Sequence, residues 1–136
     1  YTVDKIMRNF ITDKIKDYKT RVNSISSELF NAQKTDLLPK IDALNNTIER
    51  VIKKVEFADF GTNTNLSGMN FTDEDLNRVL EFDWRLISTI EESQTILDVM
   101  TSVDAVTNEA IKNFEDSIKG FEKTFDDRKN ILTEVI

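Results

Sequence analysis

Apolar residues recur along the first 58 positions of the chain with alternating spacings of three and four. One series runs through residues 7–32 and a second through residues 37–58, and the two series are out of phase. This heptad spacing is typical of helices that pack lengthwise against other helices, and it excludes strands in both segments. We therefore predict two long helices in the first half of the chain.

The phase change between the two series falls beside Pro39, the only proline. Proline is tolerated in the first turn of a helix, because the N–H that it lacks would have no partner there. We therefore predict a turn near 33–36 and a second helix with Asp36 as its N-cap. One continuous bent helix over about 3–58 is the alternative, since no glycine interrupts this half of the chain.

The clearest break in the helical pattern is the segment 59–71, which contains two of the three glycines and predicts a long loop. Thr72 and Asp75 follow with the spacing of a capping box, in which each side chain bonds the backbone N–H of the other residue. Phe71 and Leu76 have the spacing of the hydrophobic staple that accompanies such a cap. The pattern therefore predicts a helix that begins at 72.

The apolar stripe of this third helix continues to about residue 99, and a last series runs through 111–135 in the same alternation. Thr101 and Asp104 have the spacing of a weaker cap and predict the start of a fourth helix. Without a turn at this point, the second half of the chain would form a single helix approaching ~100 Å. A compact bundle is therefore the better prediction.

These segments predict an all-α fold with helices at about 3–33, 37–58, 72–99 and 102–135. Short, long and short connections are the pattern of two helical hairpins laid together. We therefore predict an antiparallel four-helix bundle that forms a single domain over 1–136.

Composition narrows the chemistry that such a fold could perform. The 136 residues include no histidine and no cysteine, which excludes the usual zinc sites, haem ligation and nucleophiles activated by histidine. We therefore expect no enzyme, no catalytic residue, no metal site and no cofactor. The net charge of −7 argues against nucleic acid as a partner, because nucleic acid selects for clustered Lys and Arg.

The charge is also divided unevenly along the chain. Residues 1–60 carry 11 Lys and Arg against 9 Asp and Glu, a net charge of +2, whereas residues 61–136 carry 7 against 16, a net charge of −9. The two predicted hairpins should therefore attract each other, although exposed ion pairs individually contribute little.

Three residues stand out as polar or aromatic side chains on otherwise apolar stripes, and we take them as candidate ligand-binding or partner-binding residues: Asp83, Trp84 and Arg128. A buried carboxylate needs a partner, and Arg128 lies on the seam of the fourth helix as Asp83 does on the third. In the alternative, both side chains reach the rim of the bundle. Trp84 is expected in the core, and the alternative roles are lining a pocket or anchoring a partner.

Six phenylalanines are expected to fill the space between the helices: Phe10, Phe30, Phe82, Phe114, Phe121 and Phe125. Gly120 lies beside Phe121 in the middle of a predicted helix, where glycine costs about 1 kcal/mol relative to alanine. We therefore expect another helix to approach closely there, within the chain or across a dimer.

Neither terminal helix shows a closing signal at its end of the chain. In an antiparallel four-helix bundle these two ends lie together, which suits a module inserted between two membrane spans. In length, helix order and open ends, the whole chain resembles the four-helix-bundle extracytoplasmic sensor domains of chemoreceptors and histidine kinases. The resemblance is architectural and includes no ligand motif. It implies a ligand site near the membrane-distal part of the bundle, often with Arg and Thr side chains at a dimer interface, and signalling by small helix displacements.

We therefore expect a non-catalytic sensing or ligand-binding module of a membrane signalling receptor, extracytoplasmic and homodimeric. Its expected partners are a second copy or another helical protein, and a small-molecule ligand. Contact with a membrane is expected only through flanking segments. The alternative, based on the strict heptad spacing, is a structural or protein–protein interaction bundle without a small-molecule ligand, for which a cytoplasmic location is also open.

Overall fold

The computed structural model describes residues 3–56 and 72–135 of the chain. Four α-helices account for most of these residues: α1 Val3–Asn31, α2 Leu38–Glu56, α3 Asp73–Asp98 and α4 Asn108–Val135. Two 3₁₀ turns, Thr35–Leu37 and Val103–Ala105, lie in the connections. No strand occurs in the described ranges, so the all-α prediction is confirmed.

The connection between α1 and α2 shows why the first helix ends. Gln33 has a φ of 62°, the left-handed conformation that closes many helices. The Lys34 N–H bonds the Leu29 carbonyl at 2.9 Å and the Gln33 N–H bonds the Phe30 carbonyl at 3.1 Å, the two hydrogen bonds of a Schellman motif. The predicted turn near 33–36 is confirmed, and the continuous bent helix is wrong.

The start of α2 differs in detail from the prediction. Asp36 lies inside the 3₁₀ turn and α2 begins at Leu38, so Asp36 does not immediately precede the helix as an N-cap would. Pro39 lies in the first turn of α2, where its missing N–H leaves no helical hydrogen bond unmade. The proline therefore marks the helix start, as its position in the sequence predicts.

The capping box at the start of α3 is confirmed. The Asp75 N–H donates to the Thr72 hydroxyl at 3.1 Å, and the Thr72 N–H donates to the Asp75 carboxylate at 3.3 Å. The predicted loop at 59–71 lies outside the described residues, and so does the staple between Phe71 and the side chain of Leu76.

The predicted start of the fourth helix is wrong by six residues. Asp104 is part of the 3₁₀ turn, and α4 begins only at Asn108. The Thr107 hydroxyl accepts a hydrogen bond of 3.1 Å from the Ala110 N–H and so caps this helix. Thr101 has an acidic residue three positions later, as a capping box requires, and Thr107 has alanine there. The sequence signal therefore favoured the wrong threonine.

The core is one cluster of buried apolar residues drawn from all four helices. The ring centres of Tyr18 in α1 and Phe114 in α4 lie 5.7 Å apart in an edge-to-face arrangement. The Tyr18 hydroxyl donates a 2.5 Å hydrogen bond to the Ile90 carbonyl of α3, so its buried polar atom is satisfied. These contacts join α1, α3 and α4 at the buried side chain of Tyr18.

Three of the six phenylalanines expected in the interior are buried there: Phe114, Phe121 and Phe125. Phe82 is half-buried, whereas Phe10 and Phe30 are exposed, which corrects the expectation for those two. None of the helices in 3–56 and 72–135 has an apolar stretch long enough to cross a bilayer.

Candidate functional site

Asp83 in α3 and Arg128 in α4 form a buried ion pair. The Nε atom of Arg128 donates a hydrogen bond of 2.5 Å to Oδ1 of Asp83, and only 7% of the Asp83 side chain and 2% of the Arg128 side chain are exposed. The alternative in which both side chains reach the rim is therefore wrong. Stripe positions alone could not predict the pairing, because it depends on the register between the two helices.

Apolar residues surround this pair along both helices. Val79 and Leu86 flank Asp83 on the buried side of α3, and Phe125 lies one turn before Arg128 on the buried side of α4. Burying two charges is costly, and their attraction repays that cost only when the geometry is good. Because the pair is almost fully covered, we interpret it as a link that fixes α3 against α4, not as an open ligand site.

Trp84 follows Asp83 in the chain but lies on the outer side of α3. Successive helical residues are about 100° apart around the axis, so the helix that buries Asp83 turns its neighbour away. With 70% of its surface exposed, Trp84 is not a core residue, and that expectation is wrong. The three candidate residues therefore do not form one site.

Trp84 belongs to a set of exposed apolar residues on two helices. We define the α1–α3 apolar surface as these four residues, whose exposed fractions are 54%, 39%, 48% and 70%: Ile6, Phe10, Leu80 and Trp84. A single exposed apolar side chain is ordinary, whereas a larger apolar patch marks an interaction site. Whether the four residues form a patch depends on how α1 and α3 adjoin.

Polar contacts farther along the two helices show that α1 and α3 lie side by side. The Nζ atom of Lys14 donates to Oε1 of Gln94 at 3.0 Å. Arg21 Nη2 lies 2.7 Å from Oδ1 of Asp98. Residue numbers rise together in these two contacts, so the N-terminal halves of α1 and α3 lie towards the same end.

Helical periodicity then places the exposed apolar residues on the adjoining sides of α1 and α3. Phe10 lies one turn before Lys14 on the side of α1 that faces α3, and the Lys14 Nζ atom is 5.9 Å from the centre of its ring. Leu80 lies five turns before Asp98 on the side of α3 that faces α1. The two faces therefore carry polar contacts at one end and exposed apolar side chains at the other.

An open groove of about 580 Å³ lies between α3 and α4. Its lining is mostly polar and consists of Thr89, Glu92, Ile96, Asn113, Asp116, Ser117, Gly120 and Thr124. A Cβ atom built on Gly120 would meet nothing within 4 Å. The close approach of another helix expected at this glycine is therefore wrong for the described part of the chain, and Gly120 instead leaves the groove open.

A cluster of charges joins the basic first half of the chain to the acidic second half. Arg50 in α2 donates hydrogen bonds of 2.9 and 2.8 Å to the carboxylate of Glu122 in α4. Lys54 Nζ lies 3.0 Å from a carboxylate oxygen of Glu122 and 3.0 Å from one of Asp126. Hydrogen bonds from Arg50 and Lys54, those from Arg50 above all, lower the pKa of Glu122 to about 2. The cluster accordingly holds α2 against α4.

Within 3–56 and 72–135, no group of three or more acidic side chains is arranged to hold a metal ion. No protein-family model, curated protein or solved structure matches this chain. The α1–α3 apolar surface and the groove between α3 and α4 are therefore the features that bear on function.

Proposed function

We propose that the chain is a non-catalytic protein-binding module and that its partner covers the α1–α3 apolar surface. The observation that carries this proposal is the exposure of Ile6, Phe10, Leu80 and Trp84 on two adjoining helices. Aromatic residues, and tryptophan above all, are enriched among the residues that dominate the binding energy of protein interfaces. Trp84 would be the main anchor of the interaction.

The size of the surface suits a protein partner. From the exposed fractions of the four side chains, their apolar area is on the order of 400 Å². At about 25 cal/mol per Å², covering that area contributes roughly 10 kcal/mol before the costs of association are subtracted. Such a patch is large enough to be the centre of an interface and small enough for the chain to remain in solution.

We further propose that the four helices form one bundle of two antiparallel hairpins. Pairs of contacting residues support this, because residue numbers rise on one helix as they fall on the other: Lys19–Glu49 and Asn23–Asn45 in the first hairpin, and Asp83–Arg128 and Ser93–Ser117 in the second. In each hairpin, one ion pair and one hydrogen bond thus support opposite directions of the two helices.

Contacts between the hairpins support a parallel arrangement of α2 and α4. Lys40 bonds Asn108 at 2.6 Å and Lys54 bonds Asp126 at 3.0 Å, so residue numbers rise together on the two helices. The bundle that we propose therefore places like-directed helices side by side where the hairpins meet. In this respect it differs from a bundle in which every neighbouring pair of helices is antiparallel.

Photo-crosslinking tests the protein-binding function. A photo-reactive phenylalanine analogue replaces Trp84 in cells that naturally make the protein, and a matched variant carries it in place of Lys123, which is similarly exposed on α4. We expect a defined crosslinked protein from position 84 only, and its loss when Leu80 is changed to Ser. Equal product patterns from both positions, or none from position 84, would contradict the proposal.

A second candidate function is sensing of a small molecule in the α3–α4 groove, with a signal carried by a small helix displacement. The groove favours this candidate, and its two carboxylates, Glu92 and Asp116, suit a small cationic ligand. The candidate keeps the receptor-domain hypothesis and its extracytoplasmic location. Apolar spans flanking the chain in its native protein would support that location, and polar flanks on both sides would contradict it.

Titration calorimetry with a small diamine such as putrescine tests the groove. We expect binding by the native chain and its loss in Gly120→Leu, since the new side chain would enter the open space beside Gly120. Lys112→Leu, an exposed position on α4 that does not line the groove, is the control. Absence of binding by the native chain, or unchanged binding by Gly120→Leu, would contradict this candidate.

A further inference from the structure

We infer that the partner of the α1–α3 apolar surface is a second copy of this chain, related by a twofold axis that places α1 of one copy opposite α3 of the other. The inference rests on the proposed protein-binding function and names its partner. A twofold interface is isologous, so the same patch must be complementary to itself. The α1–α3 apolar surface meets this requirement in the distribution of its apolar residues and its charges.

The apolar residues of the surface are divided between the two helices in a way that suits this pairing. Leu80 and Trp84 belong to α3, whereas Ile6 and Phe10 belong to α1, and each helix contributes one aromatic and one aliphatic side chain. In the twofold arrangement Trp84 of one copy packs against Phe10 and Ile6 of the other. Each copy thereby covers the apolar side chains that its partner exposes.

The charges around the surface favour the same arrangement. Residues 3–17 of α1 carry four Lys and Arg against three Asp, a net charge of +1. Without the buried Asp83, residues 73–88 of α3 carry four Asp and Glu against two Arg, a net charge of −2. Bringing α1 against α3 of the second copy joins segments of opposite net charge. Pairing α3 with α3 would instead oppose two acidic segments, which costs free energy.

The apolar area available is small for a dimer interface. A stable interface buries about 800 Å² on each partner. The apolar residues of the surface supply on the order of half of that area, and the polar residues beside them would supply the rest. We therefore expect a reversible dimer with micromolar affinity.

Sedimentation velocity of the whole chain between about 1 µM and 500 µM tests the inference, because this range spans the expected dissociation constant. We expect the native chain to pass from monomer to dimer, and Trp84→Ser to raise the dissociation constant at least about tenfold. Val99→Ser is the matched control, since Val99 is an exposed apolar residue that lies outside the surface, at the other end of α3. The helical circular dichroism of each variant shows that it is folded.

A native chain that stays monomeric at every concentration would overturn the inference. So would a dimer that Trp84→Ser leaves as stable as Val99→Ser does. If the chain stays monomeric while position 84 crosslinks to a different protein, the second copy is wrong and the protein-binding function holds. If neither association nor a specific crosslink is found, both proposals fail.

Discussion

The buried pair of Asp83 and Arg128 leads to a quantitative prediction about stability. Removing one member takes away the ion pair that compensates the burial of the other charge, which costs about 3–5 kcal/mol. A domain of this size has a total stability of roughly 5–15 kcal/mol, so this loss is a large fraction of it. We therefore expect Asp83→Leu and Arg128→Met each to lower the free energy of unfolding by about 3–5 kcal/mol.

The double variant separates this explanation from a simple loss of packing. Replacing both residues with apolar side chains of similar size removes both buried charges, so Asp83→Leu combined with Arg128→Met should lie within about 2 kcal/mol of the native chain or above it. Urea unfolding followed by circular dichroism measures all four proteins and their coupling energy. Single variants that each cost less than about 1 kcal/mol, or costs that simply add, would refute the reasoning.

Three further predictions concern the charge cluster and the helix ends. Because the pKa of Glu122 is lowered from 4.5 to about 2 in the folded chain, its contribution to stability is full above pH 4.5 and is lost as the pH falls towards 2. Urea titrations should therefore show Glu122→Gln less stable by about 1 kcal/mol at pH 7, because water screens this partly exposed cluster, and nearly equal to the native chain near pH 2. Gln33→Gly should raise the free energy of unfolding by about 1 kcal/mol and the melting temperature with it, because glycine adopts a positive φ without strain. Thr107→Ala should cost about 1 kcal/mol in urea unfolding, whereas Thr101→Ala should cost less than half of that. A larger loss in Thr101→Ala than in Thr107→Ala would contradict the assignment of the cap.

Local signals in the sequence predicted the helices well where two independent features agreed. The turn after α1 combines a phase change with Pro39, and the start of α3 combines Thr72 with an acidic residue three positions later. Both are confirmed. The start of α4 could not be found in this way, because the hydroxyl that caps it has no acidic partner and a nearby threonine does.

The candidate site was harder to predict because it depends on contacts between helices. That Asp83 and Arg128 lie on inner stripes followed from spacing, whereas their pairing depends on the register of α3 against α4. Leu80, Trp84 and Ile87 recur at i, i+4 and i+7 and form a second apolar stripe beside the buried one. Taken together with the buried positions as one stripe, these residues predict a tryptophan in the core, whereas two separate stripes predict an exposed one.

Quenching of Trp84 fluorescence by acrylamide tests the central claim most directly, because Trp84 is the only tryptophan in the chain. The claim is that the α1–α3 apolar surface is open in the isolated chain and covered in the assembly. We predict strong quenching in dilute solution, and weaker quenching at the concentrations where sedimentation shows the dimer. Weak quenching at all concentrations, as for a tryptophan in a core, would contradict the claim.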